Sequence, residues 1–123
     1  MTLEHRFNMI VREIRKECVG SGPREITTRF VGPWAISEMK GNLTKVEKFM
    51  IESKKGHQVV HEARTSLVKE IYNDIEMVKK LEELVQAKLV SVFADINIDS
   101  DIAMTTYVFN KPIIVNRGDK NQN

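Results

Sequence analysis

Val85-Gln86-Ala87-Lys88-Leu89-Val90-Ser91-Val92-Phe93-Ala94-Asp95-Ile96-Asn97-Ile98-Asp99-Ser100-Asp101-Ile102 is the stretch in which the chain changes its period. Before it, Val60, Ala63, Leu67, Val68, Ile71, Ile75, Val78, Leu81 and Val85 recur at steps of three and four, the apolar stripe of a long amphipathic helical segment. From Lys88 to Ile98 the step becomes two, with Val90, Val92, Ala94, Ile96 and Ile98 set against Leu89, Ser91, Phe93, Asp95 and Asn97. Asp99-Ser100-Asp101 supplies a turn, and Ile102–Phe109 is again rich in β-branched and aromatic residues. This half of the chain therefore reads as helix followed by β-hairpin. Ser53-Lys54-Lys55-Gly56 interrupts the helical pattern on its N-terminal side, so the long segment is expected to start after Gly56. Asn73-Asp74 either caps a second helix or faces solvent on a single one; the pattern permits both, and a bend there is the favoured reading.

Farther out, Leu43-Thr44-Lys45-Val46-Glu47 places a hydroxyl and a carboxylate three residues apart, the signature of a capping box. It predicts a helix of about three turns with Val46, Phe49 and Met50 as its apolar stripe. Between Arg24 and Lys40, Ile26, Thr28 and Phe30 share one side of a strand, and Ala35, Ser37 and Met39 share one side of the next. Gly32-Pro33 turns the chain between them, with the proline suggesting an irregular start to the second strand. At the N-terminus, Phe7, Ile10, Val11, Ile14 and Cys18 line one face of a helix over Leu3–Val19, capped by Thr2 and stopped by Gly20-Ser21-Gly22-Pro23. The sum is an α+β fold: a single domain over residues 1–110 in which two β-hairpins form an antiparallel sheet with amphipathic helices on one face. Residues 111–123 form a polar tail that is expected to fray.

The chain has 123 residues, the size of one domain, and its 41% hydrophobic and 29% charged composition is that of a globular protein. A formal charge of +2 names no partner. No apolar run reaches the roughly 18–20 residues of a membrane span, no secretory or lipidation signal is visible, and a lone Cys18 cannot form an intrachain disulfide. The expected location is the cytoplasm.

Candidate chemistry is sparse. His57 and His61 have the i, i+4 spacing of paired metal ligands, but Gln58 stands where a zinc protease carries its glutamate, and no third ligand is indicated, His5 serving only if the fold brings it close. Asp95, Asn97, Asp99 and Asp101 open like a calcium loop, yet neither its central glycine nor its closing glutamate follows. Arg6, Arg12, Arg15 and Lys16 give helix one a basic face for nucleic-acid phosphates, with Glu4, Glu13 and Glu17 among them. The glycines at 20 and 22 follow a helix, whereas a phosphate cradle precedes one. Cys18 has no histidine arranged for nucleophilic work and reads as a core thiol. No catalytic constellation and no cofactor site emerge, and the expectation is that the protein is not an enzyme.

Taken in order, Gly20-Ser21-Gly22-Pro23, Gly41-Asn42-Leu43-Thr44-Lys45-Val46-Glu47-Lys48, Phe93-Ala94-Asp95-Ile96-Asn97-Ile98-Asp99 and Thr106-Tyr107-Val108-Phe109 resemble a bacterial family over residues 5–109. That family is named for the C subunit of the sodium-translocating membrane-potential-generating system. Gly22, Pro23, Gly41, Leu43, Thr44, Glu47 and Asp95 match its pattern, in positions that read as structural; Lys45 stands where the family often has proline, and Ala94 where a serine commonly precedes the aspartate. The resemblance implies an accessory or regulatory subunit of a membrane cation or inorganic-carbon uptake system. It would dock peripherally on an integral membrane transporter subunit at the inner face of the membrane. Exposed sheet edges add a homodimer as an expected assembly. The alternative, carried by helix one, is a nucleic-acid-binding regulator.

Overall fold

The first helix, α1 (Leu3–Val19), begins where the Thr2 hydroxyl accepts the His5 N–H at 3.1 Å and stops at Gly20, whose φ of +97° closes the last turn. In the computed structural model, which describes residues 1–115, it is followed by β1 (Glu25–Val31), β2 (Trp34–Lys40), α2 (Lys45–Met50), α3 (Lys54–Ile71), α4 (Ile75–Val85), β3 (Leu89–Asn97) and β4 (Ile102–Phe109). The strands form one antiparallel sheet in the order β1-β2-β4-β3, so each hairpin contributes its inner strand to a central seam. The protein is an α+β fold with its helices on one face of that sheet, as its periodicity predicts.

The covered face carries Thr28, Phe30, Ala35, Ser37, Met39, Ala103, Thr105, Tyr107 and Phe109, all buried. α1 presses Phe7 onto it, edge-on to Phe30 and Tyr107 with ring centroids 5.6 and 5.2 Å away, and Tyr72 meets Tyr107 in the same way. Burying a side chain of this size contributes about 2–3 kcal/mol. Thr28 and Ser37 in this layer are paired. Thr28 donates its hydroxyl to Asn8 Oδ1 and its N–H to Glu4 Oε2, so the 2.7 Å contact between Thr28 and Ser37 takes its proton from Ser37.

Several expectations are revised. Val31 pairs directly with Trp34, which makes the first turn a tight two-residue one: Gly32 takes φ +57° and proline fixes a negative φ, the sign pattern of a type II′ turn. β2 therefore starts regularly. α2 has six residues and not three turns, and of its expected stripe Val46 and Phe49 are exposed while Met50 is partly buried against the core. α3 begins three residues earlier than its apolar pattern, since Ser53 caps it by accepting the Gly56 N–H at 3.0 Å. At Asn73-Asp74 the favoured reading holds: the long helical segment is two helices, the chain breaking at Tyr72–Asp74 with Asp74 capping α4 through the Glu76 N–H at 2.9 Å. A bulge at Val90 turns that residue outward and Leu89 toward Phe109, reversing the alternation expected there. Beyond residue 110, Ile113 is buried and donates its N–H to Gly32 O at 2.9 Å, so packing continues past the expected boundary of the domain. The rest of the tail, 116–123, lies outside the described residues.

Candidate interaction surface

The positions shared with the family pattern fall mostly on one polar knot at the end of β2. Gly41 turns the chain with φ +71°, and the Asn42 and Leu43 N–H groups then donate to the Asp101 carboxylate at 2.8 and 3.2 Å. This ties the second hairpin to the connection leaving the first. The capping box follows: Thr44 N–H donates to Glu47 Oε1 at 2.8 Å, and Glu47 N–H to the Thr44 hydroxyl at 3.2 Å. Arg64, reaching from α3 and buried, donates through Nε to Glu47 Oε2 at 2.7 Å and through Nη2 to Asn42 O at 2.6 Å. Burial pushes the Glu47 carboxyl up, but the hydrogen bonds from Arg64 and Thr44 outweigh it and hold it below the usual glutamate range. Gly22 and Pro23 form a second, smaller junction, where Arg12 Nη1 donates to Pro23 O at 3.1 Å. These are positioning roles. No reactive group sits free among them.

The candidate metal ligands diverge. His61 Nε2 meets Asp95 Oδ1 at 2.8 Å and His57 Nε2 meets Asp99 Oδ1 at 3.2 Å, two exposed clasps of α3 onto β3 and its turn. The hydrogen bond from His61, followed by that from the Ile96 N–H, keeps the Asp95 carboxyl below its ordinary value. Asn97 Oδ1 accepts the Ser100 N–H, and Asp101 is turned into the knot, so the four residues that read as a calcium loop face four different partners. Among the described residues, no three His, Cys, Asp or Glu side chains gather where they could hold a metal ion. Cys18 is half-buried against the core as a free thiol, and burial, with Glu17 next, raises its pKa.

Helix one presents only part of the basic face read from its sequence. Arg15 is 5% exposed and belongs to the core side, and Arg12 is drawn onto the Pro23 carbonyl. Arg6 and Lys16 remain outward.

What stays open is the other face of the sheet. Because the helices lie on one side only, the register puts Val31, Trp34 and Val108 in one outward row, Arg29, Ile36, Thr106 and Phe93 in the next, and Thr27, Glu38, Met104 and Asp95 in the third. Phe93 is 65% exposed, Val31 48%, Trp34 46% and Met104 43%. Four strands about 4.8 Å apart and some 25 Å long give this face roughly 500 Å², with an apolar centre and a charged rim that includes Glu38 and Lys40. The apolar centre is part of that area, and the largest apolar patch on a single domain is often a functional one. Sequence reasoning followed the inward set of each alternation and passed over the outward one, although Trp34, Ile36 and Phe93 at outward positions are its visible signal.

Comparison with known proteins bears on this surface. Residues 1–111 match the family model described as "Na+-translocating membrane potential-generating system (MpsC)". The chain is 43% identical over 109 residues to the "Uncharacterized protein YrhF" of Bacillus subtilis (strain 168), covering 89% of this chain and 88% of that protein. No solved structure matches.

Proposed function

The chain belongs to the MpsC family of the Na+-translocating membrane potential-generating system, and from that membership we propose that it is a non-enzymatic accessory or regulatory subunit. It docks from the cytoplasm on an integral membrane subunit of a cation or inorganic-carbon uptake system. No helix among the described residues is long and apolar enough to cross a membrane, so contact with such a system is made by a surface. The observation that carries the reading is the uncovered sheet face centred on Trp34, Ile36, Met104 and Phe93.

Area favours a larger partner over a second copy. A stable interface buries about 800 Å² on each side, and face-to-face pairing of two such sheets would supply roughly 500 Å². A membrane subunit reaching past the rim can make up the difference, whereas a homodimer through this face would be weak. The burial of Arg15 takes one of the four cations out of the helix-one surface on which nucleic-acid binding rested, which weakens that reading.

The test is affinity purification of the full chain from detergent-solubilised membranes at native expression, with co-purifying proteins identified by mass. The wild type is expected to bring down an integral membrane transporter subunit. A Trp34→Glu, Phe93→Glu double variant should lose it while keeping its melting temperature. Equal recovery by both proteins, or a wild type free of membrane partners, would sink the proposal; sedimentation velocity shows whether a second copy takes the face instead.

A further inference from the structure

Between α3 and the covered side of β3 and β4 lies a small cavity whose polar lining includes Arg15, Arg64, Thr65 and Thr105. Two guanidinium groups share it, and they are not in the same state. The charge of Arg64 is met by Glu47. Arg15 is equally buried, yet no carboxylate comes within ion-pair distance of it among the described residues. Its neighbours are hydroxyls: Nη2 reaches Thr105 Oγ1 at the long distance of 3.5 Å, and Tyr72 lies close by. Nε is buried with no hydrogen-bond partner at all. A buried cation that is neither paired nor fully hydrogen-bonded is a costly arrangement that a counter-ion relieves. Asp95 also lines the cavity, and its carboxylate is engaged by His61 and the Ile96 N–H.

We propose that this cavity binds one monatomic anion, chloride in the cell, against the Arg15 guanidinium. Size sets the class. About 10 Å³ of water-accessible space admits a single particle near the size of a water molecule. Phosphate, carboxylate side chains and nucleotides are too large, and a neutral water would leave the charge of Arg15 unmatched. Guanidinium N–H groups and a threonine hydroxyl are the donors such an ion takes, and Val68 and Ala103 add apolar lining beside them.

Bromide is the probe. Crystals of the full chain grown in sodium bromide should show one anomalous peak in the cavity beside the Arg15 guanidinium. In solution the melting temperature should rise saturably with sodium chloride at constant ionic strength, balanced by gluconate, by about 4 °C at tenfold excess over Kd. Arg15→Met should abolish the rise. Should that variant fail to fold, Thr105→Val, which keeps the shape and removes one donor, should shift the chloride midpoint upward several-fold. A cavity with no anomalous density and melting curves identical in chloride and gluconate would overturn the proposal and leave Arg15 a structural cation. A bromide peak without a saturable shift would mean binding at crystal concentration only, and would overturn it as well.

Discussion

Arg64 holds three parts of the chain at once: the carboxylate of Glu47, the carbonyl of Asn42 and its own helix α3. Removing it strands Glu47, whose side chain is 18% exposed, so Arg64→Met is expected to cost about 3–5 kcal/mol in urea unfolding at pH 7. The same pair makes stability depend on pH with a definite sign. The carboxyl of Glu47 is lower in the folded chain than in the unfolded one, so its contribution is complete above the usual glutamate range and is lost as pH falls through the folded value. Melting curves from pH 7 to pH 3 should therefore fall more steeply for the wild type than for Glu47→Gln; parallel curves would remove Glu47 from the account. Gly56 is a different case. It reads as a helix breaker, but it lies in the first turn of α3, where an added Cβ would stand 1.8 Å from Met50 O. Gly56→Ala should destabilise by about 1–3 kcal/mol, while Ser66→Ala, exposed on the same helix, stays within about 0.5 kcal/mol of wild type. The capping box at Thr44 and Glu47 was legible because its spacing is local. Arg64 was not: a charged residue beside Ala63 reads as solvent-facing until the partner seventeen residues away is placed.

Element boundaries were legible wherever a side chain caps its own backbone. Thr2, Thr44 and Gly20 mark helix ends in the sequence and do so in the fold. The apolar period alone ran straight through Asn73-Asp74, because a break between two helices that pack on one core leaves the three-and-four spacing almost intact. Asp74 decides it by closing the first turn of α4. Asp74→Ala should lower stability by about 1 kcal/mol, measured by urea unfolding; an unchanged midpoint would mean that packing of Leu81 and Val85 fixes the helix start without its cap. α2 shows the converse failure. Val46 and Phe49 of its stripe face solvent and only Met50 packs, since spacing tells which residues share a side and not what lies opposite.

At the scale of the molecule, both hairpins were visible in the alternation, but their order in the sheet was not, because no local signal says which strand of one hairpin meets which strand of the other. Placing β2 beside β4 leaves β1 and β3 as edges. Native-state hydrogen exchange should accordingly find the slowest amides in β2 and β4, near the global unfolding free energy, and faster ones on the outer sides of β1 and β3. Uniform protection across all four strands would point to an edge covered by a second chain. One-sided helix cover explains why the inward residues could be named from sequence while the surface proposed for docking is the set left over.

The seam between β2 and β4 joins residues some 60–75 positions apart, from Lys40 with Ile102 to Trp34 with Val108. On a ribosome adding about 5–20 residues each second, the first hairpin emerges several seconds before any strand exists for β2 to pair with. During that interval Ala35, Ser37 and Met39, wholly buried in the finished protein, lack the strand that completes the sheet beside them. The nascent chain thus offers chaperones a defined window, which opens with β2 and closes when β4 is synthesised.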